Sequence, residues 1–529
     1  HPTSSVVVRS AMDFFMSQDR PDEATAAVLA AHRAAPRNRE FRVGYAVRQQ
    51  ASGDVEGAEQ TLRTPTEVDD PLLAAEAWRD LAGFFADQQR FDEAVAAYEE
   101  VLTKIPVPSD ELLFAFGDTL VLAQRYERAL EIAGRLRSGS HRAMIEGRVH
   151  LARREPETAL ERFTEGLRLW PDNVIARYYT AVAAEQSGLF DRAVEEYRYS
   201  LSVDPSATDG RYRLARILAA QGNDDMAMSA LHHAVPRAPA TLDMALLELE
   251  LTARTKPVVG ELPPRLLSLV GARGRWGRAV AAIATGAWDR AGAGAAVRVI
   301  EGSSRLDLAD PVNADALRVW VHALVEQGHA SEARQQLETL GSGEEALQNG
   351  LIPALLGDLH AAAGAEADAR RAYEAALAID PGQPEALAGL ASIVGGTDPE
   401  EALALYSRGL SDQEALAEPA GGALARARAA LLARLGRTDE AIAQLDARLF
   451  AEPLDTAAAR QLAELLREQG GEGSLARAEK LVERARRFEE GAKARRLARE
   501  ASHSPDTAAA EAAAAADADD GADETPPAG

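Results

Sequence analysis

Histidines, carboxylates and one short glycine series are the groups in this 529-residue chain that could do chemistry. Gly271, Gly274 and Gly277 have roughly the spacing of a phosphate-cradling turn, but that chemistry needs a strand running into the turn and a helix leaving it. Nothing strand-like precedes Gly271, so a flexible turn before a helix is the better account. The ten histidines are scattered, most of them singly on helical stretches. His232 and His233 are adjacent, and neighbours on a helix diverge by about 100°, so they do not readily chelate one ion. A free amino-terminal His1 can hold copper through its amine and imidazole, but only with a second histidine beside it, which the sequence does not supply. There is no GlyXXXXGlyLys loop, no HisGluXXHis and no GlyXSerXGly. The lack of cysteine removes disulfides, thiolate metal sites and cysteine nucleophiles together. No catalytic residue, metal site or cofactor is therefore assigned.

The carboxylates have a different explanation, which leads to the elements that carry them. Acidic residues recur at one kind of place, in Arg90-Phe91-Asp92-Glu93-Ala94, Arg125-Tyr126-Glu127-Arg128-Ala129, Leu189-Phe190-Asp191-Arg192-Ala193 and Arg437-Thr438-Asp439-Glu440-Ala441. Each follows a helical stretch and opens another, where a negative charge favours the positive end of the helix dipole. The best-formed example runs from Val174 to Ala207. It reads as two short helices folded back on each other: Ala181 and Ala193 let them approach, Gly188 opens the turn, Tyr197 fills the angle and Pro205 stops the second helix. Terminal prolines Pro171, Pro205 and Pro239 stand 34 residues apart, making 140–241 the most regular part of the chain.

The same unit recurs along the chain. Trp78, Leu81, Ala82, Phe85, Ala94, Tyr98 and Pro106 occupy its positions in one copy; Leu356, Gly357, Gly364, Ala369, Tyr373, Ala376 and Pro381 occupy them in another. These offsets resemble the tetratricopeptide repeat family. The resemblance covers roughly residues 5–490 and implies an all-α, right-handed superhelical solenoid of about fourteen helix-turn-helix units. Composition agrees: 46% apolar, only 5% aromatic, with long Ala, Leu, Glu and Arg runs that suit packed helices.

We expect an N-terminal array over 1–241 and a C-terminal array with a capping helix over 314–500. Between them, 242–313 is interrupted by Pro257, Pro263 and Pro264 and is rich in glycine, as either worn repeats or a hinge. Beyond 501 the chain is Ala, Asp, Glu, Thr and Pro with no large apolar residue, the composition of a disordered acidic tail.

In the resembled family the strip one residue round from the buried face of each first helix forms a concave groove. Here it carries Phe114 with Asp118, Met144 with Arg148 and Leu151, Tyr178 with Val182 and Glu185, and Tyr212 with Arg216. Phe114, Met144, Arg148, Tyr178, Tyr212 and Arg216 together have hot-spot composition and are the expected partner-binding groove. The competing account is that they pack between adjacent first helices. The family's carboxylate clamp of Lys and Asn is absent; the matching positions hold Arg9, Asp13, Arg79, Gly83, Tyr178 and Val182, so no chaperone-tail recognition is implied.

A net charge of −25 argues against general nucleic-acid or anionic-membrane binding, which needs a basic face. No run approaches the roughly 18 apolar residues of a membrane span. The expected function is a non-enzymatic scaffold that holds a protein segment within a larger assembly. Two alternatives stay open: a periplasmic scaffold of an outer-membrane or exopolysaccharide export system, and the repeat portion of a longer enzyme. A chain opening on His1 fits an exported protein with its leader removed, and equally a fragment; an exported or periplasmic placement is favoured.

Overall fold

The computed structural model describes residues 4–64, 70–204, 209–232, 241–258, 262–272, 274–343, 345–410 and 416–502. Expectations resting on His1, Pro205, His233, Pro239 and the tail beyond 502 lie outside the described residues. Those described form α-helices joined by short turns, with two single 3-10 turns and no strand among them.

The chain divides into two compact units, 1–183 and 184–529, and the division falls inside one helix. The first unit begins with α1 (Ser5–Ser17) and α2 (Pro21–Ala34), then α3 (Arg39–Ala51) and α4 (Val55–Arg63). It continues with α5 (Pro71–Asp87), α6 (Phe91–Lys104), α7 (Asp110–Leu122) and α8 (Tyr126–Arg135). α9 (Gly139–Ala152) and α10 (Pro156–Leu169) follow, and α11 (Val174–Gln186) carries the division. The second unit holds α12 (Phe190–Val203), α13 (Gly210–Ala220), α14 (Asp224–His232), α15 (Leu242–Thr255) and α16 (Pro264–Val270). Next come α17 (Trp276–Ala291), α18 (Ala293–Glu301), α19 (Ala314–Glu326), α20 (Ala330–Leu340), α21 (Leu351–Ala362) and α22 (Glu366–Ile379). It closes with α23 (Pro384–Val394), α24 (Pro399–Arg408), α25 (Pro419–Arg434), α26 (Thr438–Ala451), α27 (Thr456–Gln469) and α28 (Glu472–Ser502). Taken two at a time, these are the fourteen helix-turn-helix units the repeat implies.

In many units the two helices start differently. Several first helices are capped by side chains that accept from orphan N–H groups: Asn38 from Glu40 and Phe41, Asp70 from Leu72 and Leu73, Ser109 from Leu112, Asp455 from Ala458. Many second helices start without such a bond and carry acids in their first turn instead, as at Asp22 and Glu23, Asp92 and Glu93, Asp439 and Glu440. The residue at the cap is often Arg, and Arg20, Arg90 and Arg437 each reach forward to a glutamate three residues on.

Between the helices of most units the chain passes through one left-handed residue. Gly53, Gly188, Gly222, Gly328, Gly364 and Gly436 have φ of +75° to +87°. Asp19, Gln89, Gln124 and Arg154 occupy the same place at φ of +54° to +61°. Glycine is the residue for which this conformation costs least.

The core follows the repeat. The alanine opening eleven of the second helices, at 24, 58, 94, 129, 159, 193, 227, 333, 369, 402 and 441, is fully buried, and Phe163, Tyr197 and Tyr373 fill the angle beside it. Each large side chain so buried contributes roughly 1.5–3 kcal/mol, so the cores carry far more stability than the surface ion pairs, at about 0–1 kcal/mol each. Residues 242–313 fold as two altered helix pairs. α16 has only seven residues, and α15 packs directly on α17, where Gly286 leaves no room for a Cβ, which would lie 2.1 Å from the Glu250 carbonyl oxygen.

Candidate functional site

The six residues expected to line one groove fall into both compact units, four in the first and two in the second, and each set has its own surroundings.

In the first unit the strip is built on α7, α9 and α11. Met144 does not line an open surface: it is 2% exposed and belongs to the core. The offset that suits a groove in an ideal unit turns inward here, because the glycine one turn along α9, Gly147, brings the helix onto Phe163, whose ring a Cβ would meet at 2.5 Å. Arg148 is mostly buried; it ion-pairs with Asp118 of α7 and lies over the Tyr179 ring of α11, 4.9 Å from its centroid. Burial pushes its guanidinium pKa down against the pull of Tyr179. Arg148 thus ties three successive first helices together and is a positioning group. Phe114 is half-buried and tilts against His141, centroids 4.8 Å apart, and His141 meets the edge of Trp170 at 6.2 Å. Tyr178 is half-buried and stands edge-on to Tyr179 at 5.3 Å.

The row Phe114, His141, Trp170 ends on an indole that is 47% exposed. The repeat pattern did not single out Trp170, which sits at the C-cap of α10 where the apolar periodicity stops. The available signal was a tryptophan immediately before the terminal Pro171, where the turn away from the helix leaves a large ring half in water.

In the second unit Tyr212 and Arg216 share α13, with the guanidinium 5.6 Å from the ring centroid. Arg216 is paired within the fold: its Nη2 donates to both carboxylate oxygens of Glu452 at 2.6 Å. Burial works against the Arg216 charge, and Glu452 more than offsets it, so its pKa is raised; burial raises that of Tyr212. The surrounding carboxylates are paired. Glu185 accepts from the Tyr197 hydroxyl at 2.6 Å and from Arg213 at 3.2 Å, and Asp455 accepts from Arg448 and Arg426, each at 2.8 Å.

Farther along, Arg318 of α19 bonds Glu385 of α23 at 2.6 Å, and the Tyr373 hydroxyl donates to Asp358 of α21 at 2.8 Å. Burial pushes the Asp358 carboxyl up to about 6. Among the described residues no group of three or more His, Asp or Glu is placed to hold a metal ion, and no helix is long and apolar enough to cross a membrane.

The chain matches the sequence model of the tetratricopeptide repeat over residues 46–111, 146–201 and 183–240. It is 34% identical over 88 residues to the small glutamine-rich tetratricopeptide repeat-containing protein 2 of Saccharomyces cerevisiae. That stretch is 16% of this chain and 25% of the yeast protein, so the chain spans about a quarter of the relative's length. Among solved structures, it is similar to a tetratricopeptide repeat protein from Parabacteroides merdae, at 16% identity and a TM-score of 0.33, over 42% of this chain and 89% of that one. It is also similar to yeast Tom70, at 12% identity and a TM-score of 0.30, over 95% and 98% of the two chains. At such scores these two likenesses carry no functional weight.

Proposed function

Because the chain belongs to the tetratricopeptide repeat superfamily, we propose that it is a non-enzymatic scaffold that holds a segment of a protein partner within a larger assembly. The observation that carries this reading is the strip of the first unit. There Phe114, His141, Trp170 and Tyr178 present partly exposed aromatic edges on helices that Arg148, Asp118 and Tyr179 hold together. Aromatic groups on a rigid, pre-organised surface are what a partner segment buries at least entropic cost. Every charged group in the strip serves a neighbour within the fold, which suits a surface for contact better than one for proton transfer.

The test is affinity capture from native extracts with the full chain as bait. A partner retained by the natural chain and lost with Trp170→Ala or Tyr178→Ala supports the scaffold. A partner held equally by all three chains, or none at all, overturns this strip as its site. Export to the periplasm belongs to the same proposal; recovery of the chain with cytoplasmic markers on osmotic-shock fractionation would remove it.

A further inference from the structure

The last helix of the second unit has two halves with different neighbours. In the first, Ala478, Leu481 and Val482 join the core with Leu462 and Leu466 of α27 and close the end of the array. The second half leaves that core and lies against α12, α13 and α17, elements that precede it by some two to three hundred residues. Leu481, Arg484, Ala485, Phe488 and Gly491 are buried, one face of a helix at i, i+3, i+4, i+7 and i+10.

The contacts are specific. Phe488 stands edge-on to Phe190 with centroids 4.8 Å apart, the Arg484 guanidinium lies 5.1 Å from the same ring, and Arg487 bonds Asp191 at 2.7 Å. Two glycines let the backbones touch: a Cβ on Gly491 would lie 2.7 Å from the Gln221 carbonyl, and one on Gly222 would lie 3.2 Å from Gly491. Any larger residue at 491 would hold the helix off.

This docking contains one costly element. Arg484 is buried, and its Nη2 has no hydrogen-bond partner. The carboxylates near enough to act on it, Glu185, Glu452 and Asp455, are bonded to Arg213, Arg216, Arg426 and Arg448 instead. A buried cation without its full hydrogen bonds opposes the contact it sits in. The other side of the helix keeps its own pairs, Arg486 with Glu483 at 2.9 Å and with Glu490 at 3.0 Å, which support helicity without a neighbour.

We propose that the surface formed by α12 and α13 is a helix-docking site, filled by the second half of α28 in the isolated chain. Its partner is an amphipathic helix with an aromatic and a small residue at the Phe488 and Gly491 spacing and Leu or Met in place of Arg484. The partner helix takes the site by omitting the buried cation. This rests on the scaffold reading and names the kind of segment such a scaffold holds.

The probe is a labelled synthetic peptide of residues 472–502 carrying Arg484→Leu, titrated into the full natural chain and into the full chain with Gly491→Leu. Tighter binding to the Gly491→Leu chain by tenfold or more, lost when the peptide also carries Phe488→Asp, supports the proposal. Equal affinity for both chains, or no binding to either, overturns it. Hydrogen exchange gives an independent reading: amides of 189–192 and 219–222 should exchange at least tenfold faster in the Phe488→Asp chain than in the natural one, and unchanged rates overturn the docking. A natural chain that is dimeric at micromolar concentration, and monomeric as Phe488→Asp, overturns docking within one chain in favour of exchange between two copies. Failure of extract capture with the peptide result intact would remove the Trp170 strip and leave this site standing.

Discussion

Single residues set the tolerance of each helix pair. Gly147 faces the Phe163 ring at a distance no Cβ can occupy. Gly147→Ala should therefore destabilise the first unit by about 1–3 kcal/mol, read as a lower denaturant midpoint with unchanged slope. Gln124 shows the reverse case. It holds a left-handed φ of +59° that six equivalent turns give to glycine, and it is exposed. Gln124→Gly should stabilise by about 1 kcal/mol, and a variant less stable than the natural chain would mean that the side chain itself holds the turn. Asp358 carries a pH signature. Its folded pKa of about 6 lies above the unfolded value of roughly 3.9, so its contribution is fully present below pH ~4 and is lost as pH rises through about 6. Stability measured across that window should fall less steeply in Asp358→Asn, which keeps an acceptor for the Tyr373 hydroxyl.

Helix pairs are the scale at which the sequence was most legible, because each unit packs mainly on its neighbours and so repeats its chemistry locally. Ala94, Tyr98 and Gly188 stand where the spacing puts them, buried, buried and left-handed. The groove was less legible. Phe114 and Tyr178 are surface-facing at their edges, whereas Met144 at a like offset is core, because whether an offset faces outward depends on how closely the next helix approaches, which Gly147 decides. The pairing of Arg216 was not legible for a different reason: its partner Glu452 is 236 residues away, and no local pattern announces such a contact. Capping offers the test at this scale. Asp455 caps α27 and takes bonds from two arginines while nearly buried. Asp455→Ala should cost roughly 3 kcal/mol and speed hydrogen exchange across 456–469, whereas Asp455→Asn, which retains the cap, should cost less.

For the whole molecule, a chain that divides into two compact units makes a single cooperative transition unexpected. Calorimetry should give a van't Hoff enthalpy well below the calorimetric one, and Gly147→Ala should shift only the part of the trace that belongs to the first unit. Equal enthalpies would mean that the units unfold as one.

Synthesis runs from one end of a chain to the other, and the docking of α28 on α12 therefore has a timetable. Asp191 leaves the ribosome 296 residues before Arg487 does. At about 5–20 residues per second, the Phe190 surface waits roughly 15–60 s for its own helix. During that interval a newborn chain offers to any passing helix what the finished one has already covered, so a partner made nearby at the same time would find its site with no competitor.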